Sequence, residues 1–564
     1  TFEYDALGRL TARVDPNGHR TAWAYDALGR LLEVTQHLDP STPVKTAFAY
    51  DKNGRTFSIT DAEGRVASFT YDAAGRRISV TDPLNQLTAF RYDGLGNITE
   101  VVVANGAVTQ FAYDGKGNQT KIINPLQQAT SSRYNLLDRV VASTDPNGNT
   151  TGFEYEALQR LIAVTDAAAN TTRFAYDPNG NRVELTDAEG RLTKFVYDPL
   201  NRLIQVMDAL GGVTDYGYDE VGNLVRITDA NGHTTSQEFD GLSRMTGAVD
   251  PLGHRWQFTY DGVGNRTSAT DPNGQTIRFV YDALDRLLEK RLPDGGMVSF
   301  SYDKVGNRTL AKNAAVTHTY EYDSLNRLTK VRDSRFSTPL TYAYDPVGNR
   351  TSLTDAEGLT TRYQHDEVDR LIRIEDPFGG QSQYAYDAAG RRMSRRSPNN
   401  VVSLYAYDAA NRLTGLETKH AMTDNQIDRF AYTYDRVGNR LTMTEPSGEH
   451  RYAYDALDRL TEAAYPDGVS EAFTYDPVGN RLGKTDPAGT TTYAYDAANR
   501  LLQDDATAYT YDANGNLRAS TTGGQSRTFR YDLENRLLGV EQDGTLLATY
   551  AYDAQGRRIE KVVG

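Results

Sequence analysis

Apolar and polar residues alternate along this chain in runs of five or six, and each run stops at a polar turn that contains glycine or a close substitute. The stretch from Thr171 to Gly190 shows the pattern. Phe174 and Tyr176 share one face while Arg173 and Ala175 take the other, and Val183 and Leu185 alternate with Arg182 and Glu184. A period of two predicts β-strands with two unlike faces. The runs are divided by Asp177 to Gly180 and Asp187 to Gly190, both of the form Asp-x-x-Gly. Aspartate suits the first turn position because its carboxylate accepts a backbone N–H two residues on. Pro178 pre-sets the next φ, and Gly180 supplies the left-handed conformation that closes a type I turn with a G1 bulge. The pattern therefore predicts antiparallel hairpins joined end to end.

The same unit recurs through the whole sequence. Tyr-Asp pairs begin at Tyr4, Tyr25, Tyr50, Tyr71, Tyr92 and Tyr113; Asn and Glu replace the Asp after Tyr134 and Tyr155, and the slot continues to Tyr552 with Phe239 and His365 standing in. That gives 27 units of about 21 residues over residues 1–564, with no linker or composition shift between them. The prior of one domain per roughly 150 residues yields to the repeat, and a single array is expected. The turn-closing slot holds 16 Gly, 5 Asn and 4 Asp, with Gln159 and Ser243 as departures, as a left-handed position requires. The slot two residues before the tyrosine is aromatic in all units but those with Ser132 and Gln237. Most aromatic side chains thus belong to one face of the sheet. About 54 strands at about 4.8 Å spacing would make a flat sheet roughly 260 Å long, and twist forces such a sheet to coil. A second order, after Gly117, largely alternates Gly-Asn (Gly180, Gly222, Gly264) with Asn-Arg or Asp-Arg (Asn201, Asp285, Asn326), so that the true period is nearer two units.

Composition narrows the function classes. The chain carries 61 basic and 75 acidic residues, a formal net charge of −14, and no cysteine. That excludes disulfides, thiolate metal sites and cysteine catalysis. No apolar run approaches the length of a membrane span, and the scattered cations on an acidic chain argue against nucleic acid as a partner.

The Tyr-Asp-x-x-Gly-Arg and Tyr-Asp-x-x-Gly-Asn motifs, one per unit, resemble the YD repeats of bacterial Rhs proteins, over essentially the whole chain. Related arrays occur in the C components of insecticidal toxin complexes, in wall-associated bacterial proteins and in teneurins. The resemblance implies an all-β fold, a long spiralling antiparallel sheet curled into a hollow shell, which encloses a toxin or other cargo domain until delivery. It also implies a distinct end segment with an aspartate-dependent self-cleavage motif. The repeats run to Tyr552 without that segment, so no residue here inherits autoproteolysis. The array begins and ends within the repeat pattern and reads as truncated at both ends, so its expected partners include the missing parts of the same polypeptide. Glycans, or another copy at open sheet edges, are further candidates. The location reads as secreted, at the cell surface or delivered by a secretion system.

Candidate chemistry has to stand out from the repeat. The eight histidines have no metal-ligand spacing: His19, His233 and His254 follow turn glycines, His365 fills a tyrosine slot, and His37, His318, His420 and His450 are scattered. Turns such as Asp145 to Gly148 lack the further acidic ligands and closing Glu of an EF-hand. No catalytic, cofactor or metal residues are assigned. The residues singled out form a structural ladder: Phe174, Tyr176, Asp177, Gly180, Asp187, Gly190, Phe195, Tyr197, Asp198, Asn201 and Arg202. The residue after the closing slot is Arg in 17 units and Asn in 10. That cation reads either as a turn-closing ion pair and cation–π contact or as part of a surface for carbohydrate or an extended chain. Two insertions break the spacing: residues 37–45, with two prolines, read as a protruding loop, and residues 417–429 as a contact loop or a tolerated insertion. The sequence therefore points to a non-catalytic shell that encapsulates cargo, with an extracellular structural or adhesive protein as the alternative.

Overall fold

The computed structural model describes residues 1–39 and 41–564. Every regular element among them is a β-strand, from Phe2–Tyr4 to Arg558–Val563, and each pairs antiparallel with the next in the chain except Gly489–Thr492 with Ala494–Tyr495. Forty-seven strands form one sheet and eight a second, which meet between Gly489–Thr492 and Ala494–Tyr495. The amide of Tyr493 still donates to the carbonyl of Leu482 at 3.0 Å, so backbone pairing carries across the break.

The turns follow from the aspartate and the left-handed residue. In Asp177–Gly180 the Gly180 amide donates to the Asp177 carbonyl at 3.1 Å, and the Asp177 amide donates to the Asn181 carbonyl at 3.0 Å. Pairing slips by one residue between Ala175 and Tyr176, which is the bulge. Gln159 and Ser243, the two residues that do not suit the slot, nonetheless hold φ of 62° and 58°. Their amides close the same turn onto Glu156 and Asp240 at 2.9 Å. The hairpin imposes the conformation, and these two side chains bear the strain.

The strip is one layer thick. In Leu192–Tyr197, Phe195 and Tyr197 are half-buried while Lys194 and Val196 between them are exposed. The accessible surface is 30521 Å², against about 20,000 Å² for a compact globule of this mass. Both faces of the sheet therefore meet solvent, and deep burial is limited to small residues such as Ala12, Ala142 and Ala163, to one cluster around Val298, Phe300, Ala311, Tyr320 and Ala554, and to Val316, His318 and Asp553.

The first insertion is not a protruding loop. Leu31–Asp39 and Thr42–Tyr50 are nine-residue strands that pair from Glu33↔Ala47 to Asp39↔Thr42, so the extra residues lengthen a hairpin; Pro40 lies outside the described residues. The second insertion also extends a hairpin, with Glu417 opposite Arg429 and Lys419 opposite Gln426. Alternation within the inserted residues, including Thr42, Val44, Thr418 and Ile427, favours pairing over a free loop.

Long-range hydrogen bonds show how the strip coils. Asn17 bonds Asp261, Glu63 bonds Lys304, Asn231 bonds Asp476 and Asn514 bonds Asp271, all 241 to 245 residues apart. Asn17 sits between the second and third strands and Asp261 between the twenty-fifth and twenty-sixth; Glu63 and Lys304 follow the sixth and twenty-ninth. The offset in both pairs is 23 strands. At about 4.8 Å per strand, one revolution measures about 110 Å around and about 35 Å across. The sheet is a spiral wall whose successive revolutions touch rim to rim, not a closed barrel.

Relieving the two strained slots tests the turn geometry. Gln159→Gly and Ser243→Gly should each stabilise the chain by about 1 kcal/mol in chemical denaturation, and Gly180→Val should destabilise it by at least as much. Unchanged or lower stability in the glycine variants would contradict this account of the turn.

Candidate functional site

Repetition makes the turns, rather than any single pocket, the main chemical feature of the wall. Arg286 shows the arrangement. Its amide and Nε donate to the two carboxylate oxygens of Asp282, at 3.0 and 2.7 Å, and its Nη1 donates to the carbonyl of Asp303 in the next unit at 2.6 Å. The same guanidinium lies 4.9 Å from the ring centre of Tyr302, whose hydroxyl donates back to the carbonyl of Leu287 at 3.0 Å. Arg286 thus closes its own turn, holds the next and covers the next tyrosine. Among the described residues, fifteen arginines, from Arg9 to Arg536, stack on the tyrosine of the following unit.

The ladder residues singled out from the sequence fall into this network. Tyr176 donates to Leu161 at 2.8 Å beneath Arg160, and Tyr197 donates to Arg182 at 3.1 Å. Arg182 lies over both Phe174 and Phe195, at 5.8 and 4.9 Å. The Asp187 carboxylate accepts the Arg191 amide at 2.9 Å, and Gly190 closes that turn at φ 84°. Asp198 accepts Arg202 Nε at 2.7 Å, while Arg202 Nη1 reaches the Asp219 carbonyl at 3.1 Å. The side-chain amide of Asn181 holds the Asp177 carboxyl below its ordinary range, and for Asp198 the backbone N–H of Arg202 is the largest cause of the same shift.

The two-unit order has a partner-based cause. Asn181 donates to Asp177 at 2.9 Å and to the side chain of Asn201, the left-handed residue of the next unit, at 2.8 Å. Asn265 does the same with Asp285 at 2.8 Å, Asn349 with Asp369 at 2.7 Å and Asn480 with Asn499 at 2.8 Å. Glycine offers no acceptor, so eight of the ten such Asn residues are satisfied by Asn or Asp in the closing slot of the next unit, while Asn97 and Asn223 are followed by Gly117 and Ser243. Gly-Asn then alternates with Asn-Arg or Asp-Arg.

Where revolutions meet, the turns after the return strands carry a second code. Their third residue is Asn17 in the first such turn, and then Glu63, Asn105, Asn147, Glu189, Asn231 and Asn273 in every second one. Asn17 donates to Asp261 at 3.0 Å and accepts the Gly262 amide at 3.1 Å. Glu63 and Glu189 accept the amides of Lys304 and Arg436 at 2.9 and 2.7 Å. Burial pushes the Asp261 and Asp476 carboxyls up, but side chains including Asn17 and Asn231 outweigh it and keep both lowered. Arg65 adds donors to the Asp323 carbonyl and to Asn326, and Arg191 pairs with Asp458. Turn chemistry alone explains an Asn or Glu at a third position, so sequence reasoning missed the seam; its readable signal was the recurrence in every second unit.

The seam also holds clefts. One of about 490 Å³ is lined by Glu189, Arg191, Arg412 and Asp435, and one of about 410 Å³ by His318, Asp333, Asp553 and Arg557. His318 is buried, with Nε2 3.2 Å from Asp333 and Nδ1 4.0 Å from Asp553. Arg335 holds Asp333 down to about 2. His318 drew no notice in the sequence because its partner Asp553 lies a full revolution further along the chain. Among the described residues no group of three or more His, Cys, Asp or Glu could hold a metal ion. His19, His233 and His254 sit beside their own turn aspartates at 3.5, 3.7 and 2.9 Å. The geometry is that of joints between hairpins and between revolutions.

Comparisons with known proteins agree with this architecture. The family model of the teneurin YD-shell matches residues 129–312, 304–450 and 439–563, and that of the RHS repeat matches 4–42, 50–86, 73–108 and 92–129. Among solved structures, a Photorhabdus luminescens Tc holotoxin pore with a mutated TccC3 is 15% identical with a TM-score of 0.59; the match covers 100% of this chain and 39% of that one. A TcdB2-TccC3 crystal structure is 15% identical with a TM-score of 0.55, again over 100% and 39%. The chain thus spans about two fifths of the length of these structures. No curated protein matches it.

Truncating one rung tests the ladder. Arg286→Ala removes the guanidinium's bonds to Asp282 and Asp303 and the cover of Tyr302, while the residue 286 amide still donates to Asp282, and should cost about 1–2 kcal/mol. Amide exchange should rise in both the 282–286 and 303–307 turns, with Arg286→Lys intermediate. Faster exchange confined to 282–286 would contradict a link between units.

Proposed function

Because the chain belongs to the teneurin YD-shell family, we propose that it is the wall of a toxin-complex-type shell that isolates a cargo polypeptide until delivery. One observation carries this reading: a single-layer sheet with both faces wet winds into a spiral and bonds to itself one revolution on. A sheet that merely supported a surface would have no use for a seam, whereas a seam between revolutions is what a continuous wall requires. A space about 25 Å across remains inside once side chains are allowed for. It would suit an extended or partly folded chain and exclude proteases and folded partners. The wall itself is read as non-catalytic, acting outside the producing cell or carried by a delivery machine. No helix among the described residues is long and apolar enough to cross a membrane.

The adhesive alternative gains no support from the ladder. In the repeating joint the tyrosine hydroxyl already donates to a backbone carbonyl, and arginine covers the ring. A glycan would have to displace both.

Limited proteolysis of the native particle from its source, followed by denaturing mass spectrometry, tests the proposal. A non-repeat polypeptide should remain in the particle and stay intact under trypsin until the wall is unfolded. A particle of repeats alone, with nothing enclosed, would reject encapsulation.

A further inference from the structure

Five turns between hairpins carry asparagine at the third position and glycine at the closing one: Asn17, Asn105, Asn147, Asn231 and Asn273. Asn-Gly is the dipeptide most open to deamidation through the backbone, because glycine puts no side chain in the way of its own nitrogen. In three of these turns the side-chain amide is held by the neighbouring revolution. Asn17 donates through Nδ2 to Asp261 at 3.0 Å and accepts the Gly262 amide at Oδ1 at 3.1 Å. Asn273 does the same with Asp512 and the Ala513 amide, at 3.3 and 3.2 Å. Asn231 donates to Asp476 at 2.9 Å. Asn105 differs: its Oδ1 accepts the Ala107 amide of its own turn at 3.0 Å, and the residue is exposed. Its glycine nitrogen is held like the others. Gly106 donates to Val103 at 2.8 Å, and Gly18, Gly232 and Gly274 donate to Asp15, Asp229 and Asp271 at 3.1, 2.9 and 2.9 Å. What separates these turns is the grip on the side-chain amide across the seam.

The same turn position shows what a carboxylate requires there. Glu63 and Glu189 occupy it in two other turns, and each is followed two residues on by an arginine. Arg65 bonds Asn326 at 2.9 Å, and Arg191 lies 3.7 Å from Asp435 and pairs with Asp458. Asn17 and Asn231 are followed instead by His19 and His233, and Asn273 by Gln275. A carboxylate at these three sites would face Asp261, Asp476 or Asp512 without that arginine, and two carboxylates at hydrogen-bond distance repel unless one takes up a proton.

We propose that Asn17, Asn231 and Asn273 are deamidation sites that the closed seam protects and whose conversion keeps an opened seam from closing again. When the revolutions part, Cγ of the asparagine is free to swing onto the nitrogen of the following glycine. That nitrogen attacks Cγ, the side-chain nitrogen leaves as ammonia with the glycine amide proton, and a cyclic imide remains. Water opens the imide at either carbonyl and gives aspartate or isoaspartate. Either product replaces the Nδ2 donor with a carboxylate oxygen and sets a negative charge opposite the aspartate of the next revolution. Isoaspartate also lengthens the turn by a methylene. The wall thus keeps a chemical record of opening, and the change runs one way. The inference rests on the seam and is independent of what the shell encloses.

Peptide mapping by mass spectrometry of the full chain, held at mildly alkaline pH, tests the protection. Asn105 should convert first, and Asn17, Asn231 and Asn273 about tenfold more slowly, the factor that one or two retained hydrogen bonds supply. In urea all four should convert at similar rates. Equal rates in the folded chain would overturn the proposal, as would a difference that persists in urea. The consequence is read from amide exchange in Asn231→Asp. Exchange at residues 476–480 should rise while that at 261–265 stays unchanged, and adding His233→Arg should bring it back. Asn17→Asp with His19→Arg gives the same test at 261–265 if the first pair does not fold. Exchange that the aspartate leaves unchanged, or that the arginine does not restore, would overturn the proposal equally.

Discussion

The structure depends on one constraint: a left-handed residue three positions after a turn aspartate, with the next residue reaching back to that aspartate and forward to the following turn. A single-layer sheet has no deep core, so it cannot rely on burial as a globule does. The forward reach supplies order along the strip. Arg286 joins Asp282 to Asp303 and covers Tyr302, and Asn265 joins Asp261 to Asp285. Each contact is modest and the charged members are partly solvated, which lowers the worth of any one of them. Their effect comes from repetition with fixed geometry, as in other linear repeat proteins, where neighbouring units stabilise one another.

The seam follows from the same units. Opposite rims meet only when contacting turns lie an odd number of strands apart, since successive turns alternate between rims. The offset of 23 strands satisfies this, and it brings Asn17 to Asp261 and Asn231 to Asp476. The two-unit period serves both directions at once. Along the strip it alternates a donor Asn with an acceptor in the next closing slot, and across the seam it spaces Asn and Glu on every second turn. Coiling is thereby tied to sequence through named side chains as well as through the general twist of β-sheets.

Much of the fold was legible in the sequence because its determinants are local. Period-two alternation and Asp-x-x-Gly turns specify each hairpin from the residues of a single unit, and the repeat motif led to the shell architecture. The inserted residues were harder to read: the prolines suggested a loop, but Thr42, Val44 and their neighbours keep strand alternation and extend the hairpin. The seam was harder still. Asn17 and Glu63 look like ordinary turn residues, and His318 like a stray histidine, until coiling brings Asp261, Lys304 and Asp553 beside them. Contacts that depend on how far a strip travels in one revolution cannot be read from any single unit.

The central claim is that the strip coils with a 23-strand offset. The chain has no cysteine, so introduced pairs report without ambiguity. A short bismaleimide should link Glu63→Cys to Lys304→Cys rapidly within one molecule. The pair Glu63→Cys and Ala283→Cys, one hairpin out of register, should link slowly. Equal rates, or faster linking of the second pair, would contradict the spiral described above.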